Sequence, residues 1–288
     1  MQENQLFLNL AADGVHILDE KGNVIICSLS FANMLGYTQD EALALNVKDW
    51  DAQLPADRLV DIMHSFKEHP RSFETKHRRK DGSLFDAEVN VRWISGKYGA
   101  YFYASSRDIS ERKSLEAKLT YMATFDSLTT LLVRREFFSR CEDELERFRR
   151  HPSVPLAFAM LDLDDFKAVN DQYGHNMGDQ VLRSVSSIIK SALRKNDFAG
   201  RLGGEEFAIM LVGASAEAAQ HCLKRIHTEL CNRSIEYNGC SVVCSTSIGI
   251  TDIVQSDDDI EKVMERADKA LYLAKSMGKS RSEIYELY

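Results

Sequence analysis

The apolar run Leu156-Ala157-Phe158-Ala159-Met160-Leu161 ends in Asp162-Leu163-Asp164-Asp165. Further along, Gly203-Gly204-Glu205-Glu206 leads into a second apolar run, Phe207 to Val212. Carboxylates at the mouths of core strands cost desolvation energy unless something positive meets them. Alternation in an extended segment sends Asp162 and Asp164 to one face. With Glu205 from a neighbouring strand, they are expected to converge at one edge of a sheet. Clustered carboxylates form a hard-oxygen cage suited to Mg²⁺ carrying nucleotide phosphates. Taken singly, any of these aspartates is a cap or turn residue, and Asp165 is read that way.

The elements that must position these groups follow from periodicity. Gly203 and Gly204 between strand-like residues predict a two-residue hairpin turn. Phe137, Phe138, Cys141, Leu145 and Phe148 mark one helix face, and Val181 to Leu193 a second. A third helix surrounds Leu223 and Ile226, and a last one runs from Ile260 to Ala274. Val242, Cys244, Thr246, Ile248 and Ile250 alternate as one strand, with Cys240 and Cys244 on the same side. Glu283 to Leu287 is expected as an edge strand. Helices on a sheet that contains an internal hairpin indicate an α+β fold.

A length of 288 residues suits about two domains. Hydrophobic content of 44% and charged content of 28% are those of a soluble globular protein. The net charge of −8 speaks against a nucleic-acid surface, and the basic clusters His77 to Lys80 and Arg147 to His151 read as solvated faces. No apolar run is long enough for membrane insertion, and the N-terminus does not read as a signal peptide. Six cysteines without a Cys-x-x-Cys pattern suggest structural thiols in a reduced, cytoplasmic setting.

The first third reads as a short helix from Leu6, strands Gly14 to Asp19 and Val24 to Ser28, and a helix from Leu29 to Tyr37. Thr38-Gln39-Asp40-Glu41 has the form of a helix cap. A hairpin is expected at Asp81-Gly82, followed by the alternating Phe85, Ala87, Val89, Val91 and Trp93, then a strand from Lys97 to Ser106. The order of Ala12-Asp13-Gly14, Phe31 to Tyr37, Arg79 to Ser83 and Asp108 to Arg112 resembles a PAS domain over residues 1–112. That resemblance implies an antiparallel sheet with short helices around a pocket. Its ligand stays unknown: residues 46–52 hold no cysteine for a flavin adduct, and His16, His64, His69 and His77 are conceivable haem ligands, more readily packing or surface residues. Residues 113–124 form a helical linker whose Leu115, Leu119 and Met122 make a narrow apolar seam, suited to a two-helix coiled coil or to packing on its own domain.

Residues 125–288 resemble the GGDEF domain of diguanylate cyclases. The resemblance rests on Asp126-Ser127-Leu128-Thr129, Leu161 to Lys167, Asn170 to His175, Gly178-Asp179, Arg201 to Phe207, Ser247 to Ile250 and Ala274 to Lys279. It implies a palm-like α/β sandwich that condenses two GTP into cyclic di-GMP and releases pyrophosphate. By resemblance, Asp162, the Leu163 carbonyl and Glu205 bind Mg²⁺ or Mn²⁺, and Glu205 is also the base for the attacking 3′-hydroxyl. Asn170 and Asp179 recognise guanine, and Lys275 and Lys279 clamp the terminal phosphates. Lys167 adds charge stabilisation, backbone N–H groups near Asp165 and Phe166 cradle phosphate, and Gly203 and Gly204 leave room for the nucleotide. Arg194 and Asp197 match a product-inhibition site for cyclic di-GMP. One site holds one GTP, so a homodimer is implied. Thr130 stands where the family carries glycine, Val133 where it carries asparagine, and Lys279 where arginine is commoner. The alternatives are a catalytically inactive module that binds GTP or cyclic di-GMP, and a cyclase of altered base choice.

Overall fold

The computed structural model describes residues 8–53, 55, 58, 62, 65, 70–96 and 99–287. The chain divides into two compact units, Met1–Lys118 and Leu119–Tyr288. The expected start of the first helix at Leu6, as well as His64, His69 and Lys97, lie outside the described residues.

In the first unit, strands β1 (Gly14–Leu18), β2 (Val24–Cys27), β3 (Arg71–Arg78), β4 (Leu84–Gly96) and β5 (Gly99–Asp108) form an antiparallel sheet in the order β2-β1-β5-β4-β3. Helices α1 (Leu29–Leu35), α2 (Gln39–Ala42) and α3 (Val47–Trp50) join β2 to the segment before β3. Ser28 explains why α1 starts where it does. Its Oγ accepts from Phe31 N and from Val15 N, capping the helix and tying it to β1. Thr38 and Glu41 form the expected capping box at α2. The Asp81-Gly82 turn joins β3 to β4, with Gly82 at φ 85°. Phe85, Ala87, Val89 and Val91 point inward as their alternation predicts, onto a core around Phe31, Trp50 and Phe102.

Helix α4 (Ser110–Thr124) contains no buried residue. Leu115, Leu119 and Met122 are 52%, 66% and 65% exposed, so among the described residues the apolar seam stays largely uncovered.

The second unit is a six-stranded sheet with helices on both faces. Its elements are β6 (Leu132–Val133), α5 (Arg134–Arg150), β7 (Leu156–Leu163), α6 (Phe166–Tyr173), α7 (His175–Ala192), β8 (Phe198–Gly203), β9 (Glu206–Val212), α8 (Ala216–Asn232), β10 (Ile235–Tyr237), β11 (Cys240–Val242), β12 (Thr246–Asp252), α9 (Ile260–Ser276) and β13 (Ser282–Ile284). The sheet order is β13-β12-β7-β9-β8-β6, antiparallel except at its two outer pairs. Alternation along β7 feeds two cores. Ala157, Ala159 and Leu161 join the core that contains residues of α7 and α8, while Phe158 and Met160 join that of α5 and α9. Full burial of a side chain such as Phe158 stabilises by about 1.5–3 kcal/mol.

Three expectations are corrected. Gly203 pairs with Glu206 in the ladder, so Gly204 and Glu205, not the two glycines, occupy the hairpin turn. The strand expected from Val242 to Ile250 is broken at residues 243–245: β11 pairs with β10 in a separate ribbon, and β12 joins the main sheet. Cys240 and Cys244 therefore part company, one exposed and the other buried. Asp165 does stand at the N-cap of α6, but its backbone is left-handed (φ 55°) and its side chain makes no cap bond.

Candidate active site

The end of β7 and the β8–β9 turn lie side by side. Asp162 is opposite Glu206 in the ladder, and Leu163 N donates to the Glu205 carbonyl at 3.4 Å. This brings Asp162 and Leu163 at the end of β7 beside the turn residue Glu205, at one end of the sheet. Lysines from the end of α9 and the chain just beyond it reach the same edge. Lys275 Nζ lies 2.9 Å from Asp162 Oδ1, and Lys279 Nζ lies 2.6 Å from Asp165 Oδ1. The hydrogen bond to Asp165 raises the pKa of Lys279, so this exposed ammonium is firmly charged. Here is the positive partner that the carboxylates required.

Asp164 behaves differently from Asp162. It is 9% exposed, and its oxygens accept from Ser245 Oγ (2.6 Å), Ser247 Oγ (2.6 Å) and Ser280 N (3.0 Å). The expected convergence of Asp164 with Asp162 and Glu205 is thus corrected: Asp164 locks the chain after Lys279 to the strand ends. Among the described residues, no group of three or more His, Cys, Asp or Glu side chains forms a metal cage. Two carboxylates and a backbone carbonyl still fit a hard cation. Mg²⁺ is commonly held by one or two carboxylates and completed by substrate phosphates.

Helix α6 begins directly after this edge. Its first intrahelical bonds run from Ala168 N (2.9 Å) and Val169 N (3.3 Å) to the Asp165 carbonyl. The N–H groups of Phe166 and Lys167 precede them at the positive end of the helix dipole. Phe166 is buried, whereas Lys167 is exposed. Asn170 on α6 and Asp179 on α7 are both half-buried. Gly178 lets α7 pack closely on α6, because a Cβ there would run into Asn170 Oδ1 and approach Phe166 Cζ to 3.1 Å. At the turn, Gly204 has φ 50°, and a Cβ on either Gly203 or Gly204 would project into open space. The space beside the two turn glycines is therefore open.

Two residues that sequence reasoning left without a role hold the turn in place. Arg201 donates from Nε (3.0 Å) and Nη2 (2.8 Å) to the Gly204 carbonyl, and from Nη1 to Asp126 Oδ1 (3.2 Å). Asp126 also accepts from Thr129 N and Thr129 Oγ1. Burial pushes its pKa up, but the Thr129 bonds and the Arg201 charge outweigh that and hold it low. The signal was present in the sequence, since both residues belong to the quoted motifs. Nearby, Thr130 is left-handed (φ 55°) where glycine would be unstrained, and Lys190 bonds both its hydroxyl and the Thr129 carbonyl.

Arg194 and Asp197 line a separate cleft of about 490 Å³ with His221 and Arg225. Asp197 is already engaged, accepting from Arg194 N and Val212 N at 3.0 Å each.

Comparison with known families settles the kinship. The family described as "Diguanylate cyclase, GGDEF domain" matches residues 123–281, and a "PAS domain" matches residues 12–111. The chain belongs to the GGDEF diguanylate cyclase family. "Diguanylate cyclase A" of Treponema denticola is 38% identical over 167 residues, covering 57% of this chain and 45% of that protein. "Probable diguanylate cyclase DgcE" of Escherichia coli K12 is 31% identical and covers 94% of this chain but 26% of its own length. This GGDEF chain thus spans less than half of either relative. Among solved structures, the GGDEF domain of DgcB from Caulobacter crescentus in complex with c-di-GMP matches with a TM-score of 0.55 at 33% identity, over 57% of this chain and 94% of that one. The active GGEEF domain of a diguanylate cyclase from Vibrio cholerae matches with a TM-score of 0.51 at 32% identity, over 55% of this chain and 99% of that one. The GGDEF signature of this chain likewise reads Gly-Gly-Glu-Glu-Phe. No helix among the described residues is long and apolar enough to cross a membrane.

Proposed function

We propose that residues 125–288 condense two GTP into cyclic di-GMP, releasing pyrophosphate, under control of a sensor in residues 1–112 acting through a linker at 113–124. The observation that carries this reading is the shared sheet edge of Asp162, Leu163, Glu205, Lys275 and Lys279, with Asn170 and Asp179 on adjoining helices. Asp162, the Leu163 carbonyl and Glu205 hold Mg²⁺ or Mn²⁺. The ion supplies Lewis-acid neutralisation of phosphate charge when bound. Asn170 and Asp179 read the guanine edge, the carboxylate accepting from the base N–H groups. Lys275 and Lys279 hold the terminal phosphates, with Lys167 and the N–H groups of Phe166 and Lys167 adding positive potential. Glu205 takes the proton of the 3′-hydroxyl as its oxygen bonds to the α-phosphorus of the second GTP and pyrophosphate departs. Gly203 and Gly204 keep the turn clear for the nucleotide.

Each such site holds one nucleotide, so two copies must face each other. The largely uncovered seam of Leu115, Leu119 and Met122 supports a parallel homodimer through α4. We place this dimer in the cytoplasm, consistent with its six free thiols. The reading is tested by following pyrophosphate release from GTP. Release is expected with Mg²⁺, to stop on adding EDTA, and to rise more steeply than linearly with protein concentration. A rate indifferent to EDTA would reject the metal role.

Cyclic di-GMP is also proposed to inhibit by binding Arg194 and Asp197. Because Asp197 braces β9 through Val212 N, Arg194→Ala is the cleaner probe. The concentration of cyclic di-GMP for half-inhibition is expected to rise about tenfold or more, the loss of one charge-assisted contact. An unchanged inhibition curve would remove Arg194 from the site.

A further inference from the structure

The first unit holds a partly open pocket of about 40 Å³, lined by the apolar side chains of Trp50, Phe102, Val89 and Ala104, with His16, His77 and Asp51 among its polar members. Roughly 10–15 Å³ of such space holds one water, so there is room for about three water-sized groups. Sites for drug-sized ligands take roughly 300–1,000 Å³, so a porphyrin does not fit. His77 is 1% exposed, yet its Nδ1 has no hydrogen-bond partner among the described residues. A buried polar atom left unpaired costs about 1–3 kcal/mol.

The ring's other nitrogen fixes what the missing partner must be. His77 Nε2 lies 3.8 Å from Asp51 Oδ2. Asp51 is held in place by Thr75 Oγ1, which donates to both carboxylate oxygens at 3.2 Å, and by Gln53 N at 2.9 Å. At 3.8 Å the carboxylate is beyond hydrogen-bond reach of Nε2, but its negative charge favours the proton on that nitrogen and leaves a lone pair on Nδ1. Burial keeps the ring neutral, lowering its pKa to about 4 against the opposing charges of Asp51 and Asp108. His16 leaves Nδ1 to a donor from elsewhere: its own Nδ1 is 3.4 Å from the Gly14 carbonyl, and its ring stacks on Phe31 at 4.1 Å.

We propose that this cavity binds a compact hydrogen-bond donor of about three heavy atoms, a short alcohol or amine, whose O–H or N–H donates to His77 Nδ1 while its carbon atoms contact the apolar wall. An acceptor-only molecule of the same size meets a lone pair and is excluded. So is any ligand with a fused ring system.

The test uses the full chain labelled with ¹⁵N-histidine, with the His77 ring nitrogens followed by NMR during titration with ethanol, ethylammonium chloride or sodium acetate. At least one of the two donors is expected to shift His77 Nδ1 saturably, and the arm that does so distinguishes alcohol from amine. Acetate is expected to leave it in place. Ala104→Val narrows the cavity without touching His77 and is expected to abolish the saturable shift; Val89→Ile serves if that variant does not fold. No saturable shift with either donor means that only water fills the space, which overturns the proposal. An equal response to acetate, or a response that survives cavity filling, overturns it as well.

Discussion

Replacing Glu205 with glutamine is expected to cut cyclic di-GMP synthesis about a thousandfold while leaving the melting temperature unchanged. Glutamine keeps the size of the side chain but not its charge, so it serves poorly as a ligand for a hard cation and cannot accept the 3′-hydroxyl proton. The fold does not depend on that charge. Glu205 is half-buried in a turn shaped by Gly204 (φ 50°), and what it gives to the ladder is its backbone carbonyl, which accepts from Leu163 N. The Arg201 bonds to the neighbouring Gly204 carbonyl are also backbone-directed and survive the change. Activity within tenfold of the parent would remove Glu205 from the chemistry. A lowered melting temperature would make any loss structural.

The second large effect concerns stability. Asp164→Ala strips the acceptor from two serine hydroxyls and one backbone N–H, all within 3.0 Å of the carboxylate. Hydrogen bonds to a charged group are worth roughly 1.5–3 kcal/mol each, and donors left buried lose more. Some relaxation and water entry bring the expected loss to about 3 kcal/mol. For a unit of this size that is a fall of about 6–12 °C in melting temperature. There is a functional consequence too. Lys279 (φ 62°) and Ser280 (φ 53°) are both left-handed, a conformation costing about 1–2 kcal/mol per non-glycine residue. The Asp164 bond to Ser280 N helps hold that strained pair, and with it Lys279, the residue proposed to clamp the phosphates. Differential scanning calorimetry decides the first point. A shift below about 2 °C would show that Asp164 is no keystone. The Michaelis constant for GTP is expected to rise in the same variant.

Asp162 and Asp164 also show what was legible in the sequence and what was not. Alternation placed Asp162 and Asp164 on one face, and the apolar runs flanking them marked the strands correctly. What alternation cannot supply is the neighbour opposite each carboxylate. Asp162 meets a lysine from α9, while Asp164 meets serines on either side of the β12 start, contacts set by tertiary packing. The break at residues 243–245 was hidden for a related reason. The period-two pattern runs on from β11 to β12 although the backbone leaves one ladder before joining another. In the hairpin, a pair of glycines signals a turn, but a shift of one residue along the chain barely changes the composition. The structure centres the turn on Gly204 and Glu205, which puts the carboxylate on the turn itself. Arg201 and Asp126 were visible as motif letters, yet the chain of bonds from Asp126 through Arg201 to the Gly204 carbonyl joins residues far apart in the chain. In the first unit, the hairpin and the β4 alternation were readable, while the cavity beside His77 exists only once α3, β3 and β5 are brought together.

The central claim is that the carboxylate–lysine edge serves GTP condensation. The most direct measurement is to incubate the full chain with GTP and MgCl₂ and identify the nucleotide product by chromatography and mass spectrometry. The proposed chemistry predicts cyclic di-GMP, with one pyrophosphate released for each GTP consumed. Recovery of bound but unconverted GTP from a folded, dimeric protein would contradict it.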